Sequence, residues 1–247
     1  MDKPLPPLTA GTLYLVATPI GNLEDITLRA LRTLKECDVV VAEDTRRTAQ
    51  LLRHFGISKP LISCFQHNEA RRAGEILRRL ETGERVALVT DAGSPGISDP
   101  GERVVRAVRA AGSRVEVVPG ACALVAALTA SGLPTDEFHF VGFLPHKSGQ
   151  RRRVLEALKD VPGTLVLYES PYRIEKLLKE LEVAFPDRAV VLARELTKKF
   201  EEYLRGTPTE LLAHARQHPL KGELVVLIDG RPPGADAVPD DGGSETG

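Results

Sequence analysis

Three short loops rich in glycine and proline each follow an apolar segment, and they contain the first residues that could bind a ligand. They span residues 18–22 (T-P-I-G-N), 90–101 (T-D-A-G-S-P-G-I-S-D-P-G) and 118–123 (V-P-G-A-C-A). Glycine lets backbone groups approach a ligand closely, and proline holds a loop rigid. Because none of the loops contains Lys or Arg, they predict an uncharged or zwitterionic ligand held largely by backbone groups.

The second loop is the most informative of the three. It places twelve residues before the next helix, whereas such connections usually need about 2–6 residues. Asp91, Ser94 and Ser98 add hydrogen-bonding side chains. This composition favours a binding loop over a purely structural one. The usual nucleotide fingerprints are absent, because the sequence has neither G-x-G-x-x-G at its first strand nor a phosphate loop ending in Lys-Ser or Lys-Thr.

Alternating strand and helix patterns must position these loops. Short β-branched runs alternate with amphipathic stretches between residues 12 and 229, as expected for parallel strands joined by crossover helices. The sequence therefore predicts an α/β fold, in which ligands bind beyond the carboxyl ends of the strands. The predicted strands are residues 13–17, 39–42, 86–90, 115–118, 138–142, 165–168, 190–193 and 224–228. The predicted helices are residues 27–36, 69–80, 121–131, 151–158 and 174–184.

Two capping boxes mark the beginnings of further helices. Residues 99–102 (D-P-G-E) and 207–210 (T-P-T-E) each combine a side-chain acceptor, a proline and a carboxylate three positions after the acceptor. The first of these helices is expected to end before Gly112.

The chain length allows two domains. With 247 residues and 42% hydrophobic content, the chain can form two cores of ordinary size. We predict an N-terminal α/β domain over residues 12–120 and a C-terminal α/β domain over residues 121–230, the latter beginning with a linking helix at 121–131. Residues 1–11 and the acidic segment 231–247, rich in Pro, Gly and Asp, are predicted to be disordered.

Composition excludes several classes of protein. No apolar run approaches the ~18 residues of a membrane span and no secretion signal is present, so we expect a cytoplasmic protein without membrane contact. The isolated Cys37, Cys64 and Cys122 are interpreted as small buried apolar residues, and the six histidines have no metal-ligand spacing. The net charge is −1, and residues 231–247 carry −3, which leaves +2 for residues 1–230. Any RNA-binding surface must therefore be a local patch.

Eight strings in order, over about residues 12–230, resemble the tetrapyrrole methylase superfamily and, within it, the ribosomal small-subunit RNA 2′-O-methyltransferase I family. The strings are V-A-T-P-I-G-N-L-E-D-I-T-L-R-A-L, A-E-D-T-R, V-T-D-A-G-S-P-G-I-S-D-P-G, V-P-G-A-C-A, G-F-L-P, Y-E-S-P-Y-R, R-E-L-T-K and G-E-L-V-V-L-I. The resemblance implies two α/β domains that clasp S-adenosylmethionine in a cleft between them, and a homodimer. It also implies methylation of the ribose 2′-hydroxyl of a cytidine in the decoding region of small-subunit (16S) ribosomal RNA.

The first two loops favour the RNA branch of this superfamily. The tetrapyrrole enzymes tend to carry G-x-G-P-G and G-G-D-P there, where this chain has T-P-I-G at residues 18–21 and A-G-S-P at residues 92–95. Two alternatives stay open. One is methylation of a tetrapyrrole or another small molecule on the same fold, and the other is a ribosome-associated binding protein without catalysis.

The resemblance also implies which residues contact the cofactor, most of them in the three loops and one in the second domain. They are Pro19, Ile20, Gly21, Asp91, Ala92, Gly93, Ser94, Ile97, Cys122, Ala123 and, from the second domain, Glu169.

Methyl transfer to a ribose hydroxyl is an in-line displacement, so the site must align the attacking oxygen and accept its proton. Asp44, which follows the second strand, and Glu195 and Lys198, which follow the strand at 190–193, are our candidates for the base or for a group that orients it. Glu195 and Lys198 fit a structural role equally well, in which they pair with neighbouring arginines.

Clusters of cations beside strand ends could bind RNA phosphates, since Arg suits bidentate phosphate contacts. They are Arg46, Arg47, Arg71, Arg72, Lys147, Arg151, Arg152 and Arg153. A solvated helix face explains any one of them equally well. Replacing Arg46 or Arg151 by Ala is predicted to weaken RNA association more than cofactor binding. Phosphate contacts carry no sequence information, so the target nucleotide must be selected by the pocket and by ribosome shape, and DNA is not an expected partner.

Overall fold

The computed structural model describes residues 6–230, which contain ten β-strands and eight α-helices. The chain divides into two compact units, the first ending at Ala123 and the second beginning at Leu124. The predicted boundary, after residue 120, lies three residues before this one. The disorder predicted for residues 1–5 and 231–247 lies outside the described part of the chain.

The first unit is a five-stranded parallel sheet covered by helices. Strand order is β3-β2-β4-β1-β5, so β1 lies between β4 and β5, and the loops after these three strands leave the sheet side by side. Its elements are β1 (Thr12–Val16), α1 (Leu28–Glu36), β2 (Val39–Ala42), α2 (Thr45–His54), β3 (Leu61–Ser63), α3 (Glu69–Glu81), β4 (Val86–Val89), α4 (Glu102–Ala110) and β5 (Arg114–Val118).

Alternate side chains of each central strand pack on opposite faces of this sheet. Val40 and Ala42 belong to the core cluster beneath α1 and α2, whereas Val39 and Val41 belong to the cluster beneath α3 and α4. Every residue of β2 and β4 is buried, as expected for parallel strands covered on both faces.

The described part of the predicted disordered arm, residues 6–11, is instead attached to the first unit. The Thr9 N–H donates to the Tyr14 hydroxyl at 2.7 Å, and the Gly11 N–H donates to the Gly83 carbonyl at 3.1 Å. Leu8 packs against the core. These contacts order residues that lack the periodicity of a strand or helix.

The second unit contains a mixed sheet in the order β6-β7-β10-β8-β9. Only β6 and β7 are parallel neighbours, so our prediction of parallel strands throughout is wrong for this half. Seven residues join β8 to β9, too few for a crossover helix, and the two strands pair antiparallel. Its elements are α5 (Ala123–Ser131), β6 (Phe138–Phe143), α6 (Ser148–Ala157), β7 (Thr164–Glu169), α7 (Ile174–Ala184), β8 (Val190–Arg194), β9 (Glu202–Gly206), α8 (Pro208–Gln217) and β10 (Leu224–Ile228).

One of the two predicted capping boxes is confirmed. At α8, the Thr207 hydroxyl accepts the Glu210 N–H and the Glu210 carboxylate accepts the Thr207 N–H. At α4 the prediction is wrong, because Gly101 occupies the N-cap position and has no side chain to cap the helix. The Asp99 carboxylate instead accepts the Thr90 hydroxyl at 2.7 Å, so it is not available to α4.

Candidate functional site

The first and second loops are joined by their backbones. The Thr18 N–H donates to the Gly93 carbonyl at 2.9 Å, and the Gly93 N–H donates to the Thr18 carbonyl at 3.0 Å, which forms an isolated antiparallel bridge. The Thr18 hydroxyl also donates to the Thr90 carbonyl at 3.1 Å. The loop after β1 is therefore fixed against the loop after β4.

The third loop meets the other two at the carboxyl ends of the parallel strands. The Ser94 hydroxyl donates to the Ala121 carbonyl at 3.5 Å. A Cβ atom at Gly120 would lie only 3.0 Å from the Cβ of Ala17, so the third loop packs closely against the end of β1 and leaves little room for a side chain. The predicted convergence of the three loops at one edge of the sheet is confirmed.

The surface of these loops combines backbone groups and apolar side chains with polar ones such as Asp91, Ser94 and Ser98. Gly21 and Ala92 are exposed, Ile97 is 38% exposed, and Cys122 and Ala123 are half-buried. Such a surface fits a nucleoside and a zwitterion better than a phosphate group, because none of the three loops contains Lys or Arg.

Beneath the second loop lies a cluster of carboxylates that the sequence reasoning did not identify. The Thr90 hydroxyl lies 2.7 Å from the Asp99 carboxylate and 3.3 Å from that of Glu43. Burial, reinforced by the charges of Asp99 and Asp91, raises the pKa of Glu43, and burial together with Asp91 raises the pKa of Asp99. The position of Glu43 in the string A-E-D-T-R was the only sequence pattern that could have indicated it.

Asp44, a candidate base, begins a helix. Its carboxylate accepts the Arg46 N–H at 2.8 Å and pairs with the Arg46 guanidinium at 2.7 Å, while its own N–H donates to Asp91 at 3.0 Å. The hydrogen bonds from Arg46 hold the pKa of Asp44 well below its usual range. A carboxylate with a low pKa is a weak base, so this geometry favours an orienting role for Asp44.

In the second unit, the candidates Glu169 and Glu195 lie at the same end of the sheet. Strands β6, β7 and β8 run in the same direction and end at Phe143, Glu169 and Arg194. Leu224 of β10 is paired with both Glu169 and Arg194. The backbones of Glu169 and Arg194 are therefore two strand spacings, about 10 Å, apart, and Glu195 directly follows Arg194.

Glu169, which the resemblance assigns to the cofactor site, is only 3% exposed. One carboxylate oxygen accepts the Ser170 N–H at 2.7 Å and lies 3.1 Å from the Arg173 Nε. The other, Oε2, has no hydrogen-bond partner within residues 6–230. Burial raises the pKa of Glu169. The unpartnered oxygen is a group that a ligand could satisfy.

Glu195 and Lys198 pair with each other rather than with arginines. The Lys198 ammonium lies 3.0 Å from carboxylate oxygens of both Glu195 and Glu223, and Glu195 also accepts the Glu223 N–H at 3.1 Å. Burial alone would raise the pKa of Glu195 and lower that of Lys198. The hydrogen bonds outweigh it, so the pKa of Glu195 is lowered and that of Lys198 is raised. Lys198 is thus held protonated at neutral pH and can orient Glu195, but it is poorly suited to act as a base.

Most of the cations predicted to bind RNA are accessible. Arg46 and Arg47 have side chains that are 87% and 68% exposed. Arg71, Lys147, Arg152 and Arg153 are also exposed. Arg72 is half-buried, where it donates to the Ser63 carbonyl at 2.8 Å and pairs with Glu75.

Arg151 corrects our prediction for this set. Its side chain is 5% exposed, and its guanidinium lies 2.8 Å from Glu180 of α7 and 3.2–3.3 Å from the carbonyls of His146 and Pro145. The guanidinium is therefore committed to α7 and to the loop before α6, and it cannot reach RNA from this position.

Residues 6–230 contain no group of three or more His, Cys, Asp or Glu residues placed to hold a metal ion. Within the same range, no helix has both the length and the apolar character needed to cross a bilayer. Cys37 and Cys64 are buried as predicted, and burial raises the pKa of each thiol to about 11, whereas Cys122 is only half-buried.

Comparisons with known proteins identify the family. Residues 12–212 match the family model of the Tetrapyrrole (Corrin/Porphyrin) Methylases. A protein from Halalkalibacterium halodurans named "Ribosomal RNA small subunit methyltransferase I" is 50% identical over 220 residues, which cover 89% of this chain and 76% of that protein. A protein of the same name from Pseudomonas aeruginosa is 50% identical over 227 residues, 90% of this chain and 80% of that protein.

The chain belongs to the ribosomal RNA small subunit methyltransferase I family, within the tetrapyrrole methylases. The predicted recognition and the predicted methyltransferase class are therefore confirmed. Uroporphyrin-III C-methyltransferase from Thermus thermophilus, solved with S-adenyl homocysteine, has a TM-score of 0.62 at 24% identity and covers 87% of this chain and 96% of its own. This similarity supports the tetrapyrrole methylase fold and the two α/β units.

The chemistry of the three loops suits S-adenosylmethionine, the cofactor of this methyltransferase family. Three convergent turns without a cation suit a nucleoside and an amino-acid moiety, and Ile97 adds exposed apolar surface. The individual contact residues that the resemblance implies stay predictions.

Proposed function

We propose that this chain transfers the methyl group of S-adenosylmethionine to the ribose 2′-hydroxyl of a cytidine in the decoding region of 16S ribosomal RNA. The observation that carries the proposal is the 50% identity, over about nine tenths of the chain, to relatives named as small-subunit ribosomal RNA methyltransferases. The three joined loops of the first unit supply the surface on which the methyl donor would bind.

The donor would contact the loops mainly through backbone groups. The proposed contacts in the first unit are Pro19, Ile20, Gly21, Asp91, Ala92, Gly93, Ser94, Ile97, Cys122 and Ala123. Glu169 of the second unit is supported by its unpartnered buried oxygen. Because it also accepts the Ser170 N–H, Glu169 would couple ligand contact to the conformation of the turn after β7.

When bound, S-adenosylmethionine supplies an electrophilic methyl carbon and a sulfonium sulfur that leaves as a neutral thioether. The residues of this chain must hold the ribose oxygen in line with that carbon and take its proton as the new O–C bond forms. We assign proton acceptance to Glu195, which follows β8 at the end of the sheet where Glu169 also lies. Lys198 orients this carboxylate from 3.0 Å, and Asp44 is the second candidate.

The exposed cations would bind RNA phosphates. Arg46, Arg47 and Arg71 lie on the first unit, and Lys147, Arg152 and Arg153 lie on the second. On the family resemblance, we further propose that the protein acts as a homodimer in the cytoplasm.

A methyl-transfer assay with labelled S-adenosylmethionine tests the substrate. Isolated small ribosomal subunits, naked 16S RNA and a tetrapyrrole are offered in parallel, and ribose methylation of a cytidine in the subunit RNA is expected. Label in the tetrapyrrole alone would replace our proposal with the small-molecule alternative. Calorimetry that detects no affinity for the donor or its demethylated product would favour the non-catalytic alternative.

The assignment of the proton acceptor is tested separately. Glu195→Gln should lower kcat on small subunits by about 10²–10⁴-fold, the usual contribution of general base catalysis, with little change in donor affinity. Glu175→Gln, at an exposed position in the first turn of α7, is the control and should keep full activity. Unchanged kcat in the Glu195 variant would transfer the assignment to Asp44.

A further inference from the structure

An exposed aromatic side chain lies in the same segment as Glu195, beyond the carboxyl end of β8. Phe200 is 65% exposed, in a chain in which only 4% of residues are aromatic. It lies in the segment between β8 and β9, two residues before β9 begins. An exposed aromatic ring alone needs no explanation, so its surroundings decide whether it has a role.

Phe200 forms part of the wall of a small cavity. The cavity has a volume of about 220 Å³ and is lined by Arg194, Glu195, Phe200, Pro219 and Lys221. Typical pockets for whole ligands begin at about 300 Å³, so this cavity suits a single planar group such as a nucleobase. The proposed proton acceptor, Glu195, is one of the residues that line the cavity.

Two lysines without a carboxylate partner in the described part of the chain lie beside the ring. The Lys199 ammonium lies 5.5 Å from the centroid of the Phe200 ring, and Lys221 lines the cavity. Arg194, by contrast, is paired with Glu202 at 2.5 Å. Within residues 6–230, neither Lys199 nor Lys221 forms an ion pair with a carboxylate, so both ammonium groups are available to an anion.

The segment that presents Phe200 has an unusual and well-supported conformation. Glu195 and Thr197 have φ angles of 51° and 65°, in the left-handed region that residues other than glycine rarely adopt. The Glu201 carboxylate accepts the Thr197 N–H at 2.5 Å, and Lys198 connects Glu195 to Glu223. Such local strain persists only where surrounding contacts enforce it, and it is frequent at functional sites.

We propose that this cavity is a nucleotide subsite in which the target base of the RNA, splayed out of its stack, lies against Phe200. Lys199 and Lys221 would contact the flanking phosphates, and the ribose hydroxyl would face Glu195. Unpaired bases commonly stack on aromatic side chains beside cations, and this pairing of chemistries occurs here. The inference rests on the proposed RNA substrate and specifies where the nucleotide binds.

A fluorescence titration tests base stacking directly. The chain has no tryptophan, so Phe200→Trp creates a single reporter in the cavity. Oligocytidylate should quench its fluorescence, whereas an abasic ribose-phosphate oligomer of equal length should not. Phe138→Trp is the matched control, because Phe138 is 43% exposed and lies at the start of β6, at the opposite edge of the same sheet.

Steady-state methylation provides the second readout. Phe200→Ala should raise KM for small ribosomal subunits by about fivefold to a hundredfold, the range expected for one lost stacking contact, while KM for the donor stays constant. Phe200→Tyr should restore most of the loss. Lys221→Ala should reduce the salt dependence of RNA binding by about one counterion.

The results also separate this inference from the proposed function. If the wild-type protein methylates small subunits but oligocytidylate quenches neither reporter or both equally, the subsite is wrong and the function stands. Quenching by a tetrapyrrole and not by oligocytidylate would likewise overturn the subsite. If wild-type protein methylates no small subunits, the proposed function itself fails.

Discussion

Glu69, at the first position of α3, accepts the backbone N–H of Gly101 at 2.9 Å across 32 positions of sequence. The same oxygen accepts the N–H of Arg103 at 2.9 Å and that of Val104 at 3.4 Å. Glu69 therefore satisfies the start of α4, which Asp99 leaves uncapped, and anchors the far end of the second loop.

Removing this carboxylate should destabilise the first unit. Glu69 is 5% exposed, and hydrogen bonds to charged groups typically contribute about 1.5–3 kcal/mol. Glu69→Ala should therefore lower the free energy of unfolding by about 2–3 kcal/mol, and Glu69→Gln, which keeps an acceptor oxygen, by about 1 kcal/mol. Urea unfolding measures both.

Glu102 supplies the matched control for this prediction. It is the first residue of α4, the helix whose start Glu69 satisfies, but its side chain is 70% exposed and, within residues 6–230, its one ion pair is with Arg106. Glu102→Ala should change stability by less than about 0.5 kcal/mol. Equal losses in the Glu69 and Glu102 variants would contradict the anchoring role.

The junction of the first two loops predicts a cofactor-binding defect. Gly93 has a φ of +86°, and a Cβ there would meet Ile20 Cγ2 at 3.4 Å and the Ala121 carbonyl at 3.7 Å. Gly93→Ala should cost about 1–2 kcal/mol of stability through its left-handed backbone. It should also weaken S-adenosylmethionine binding about tenfold, a change of about 1.4 kcal/mol that calorimetry resolves.

Gly83 separates the backbone effect from the binding effect. Its φ is +87° and a Cβ there would meet no atom within 4 Å. Gly83→Ala should lose similar stability and keep full cofactor affinity. A loss of affinity in both variants would indicate that binding follows global stability rather than the geometry of the loops.

Sequence patterns predicted the buried elements best. The predicted bounds of β2, α7 and β10 match the structure, because each presents a continuous apolar run or a regular apolar stripe. The same reasoning missed α2, in which only Thr48 and Leu52 are buried, and β9, a charged edge strand paired only with β8. Neither has an apolar pattern strong enough to indicate its structure.

The candidate site was predictable where it lies within one loop and not where it depends on packing. Glycine and proline identified the three loops, since these residues specify backbone conformation locally. Glu43 and Asp99 come together only because β2 and β4 are neighbours, and Arg151 meets Glu180 only because α6 packs beside α7. Sequence spacing does not encode such contacts, so Arg151 resembled its exposed neighbours.

Arg151 and Arg152 should therefore behave differently. Arg151→Ala leaves Glu180, whose side chain is 13% exposed, without its partner, and breaking a buried pair typically costs about 3–5 kcal/mol. Arg152→Ala removes an exposed cation, so it should leave stability unchanged and weaken RNA binding. Thermal unfolding and a salt-dependent RNA-binding titration distinguish the two. An Arg151 variant of normal stability with weakened RNA binding would restore our original assignment.

The carboxylate cluster beneath the second loop predicts that replacing the Asp99 carboxylate by a neutral side chain stabilises the folded protein. Burial and the neighbouring Asp91 raise the pKa of Asp99, so the folded protein holds this proton more tightly than the unfolded chain does. The stability contribution of Asp99 should then fall as pH rises from about 3.8 through its folded pKa.

Asp99→Asn removes this penalty and keeps an oxygen for the Thr90 hydroxyl. The variant should be more stable than wild type at pH ~7, and the difference should vanish below pH ~3.8, where both states of Asp99 are protonated. Unfolding free energies measured across this range check the sign, with Asp187→Asn at an exposed position as the control. Lower stability of the Asp99 variant at neutral pH would mean that the ionised carboxylate, through its bond to Thr90, contributes more than its burial costs.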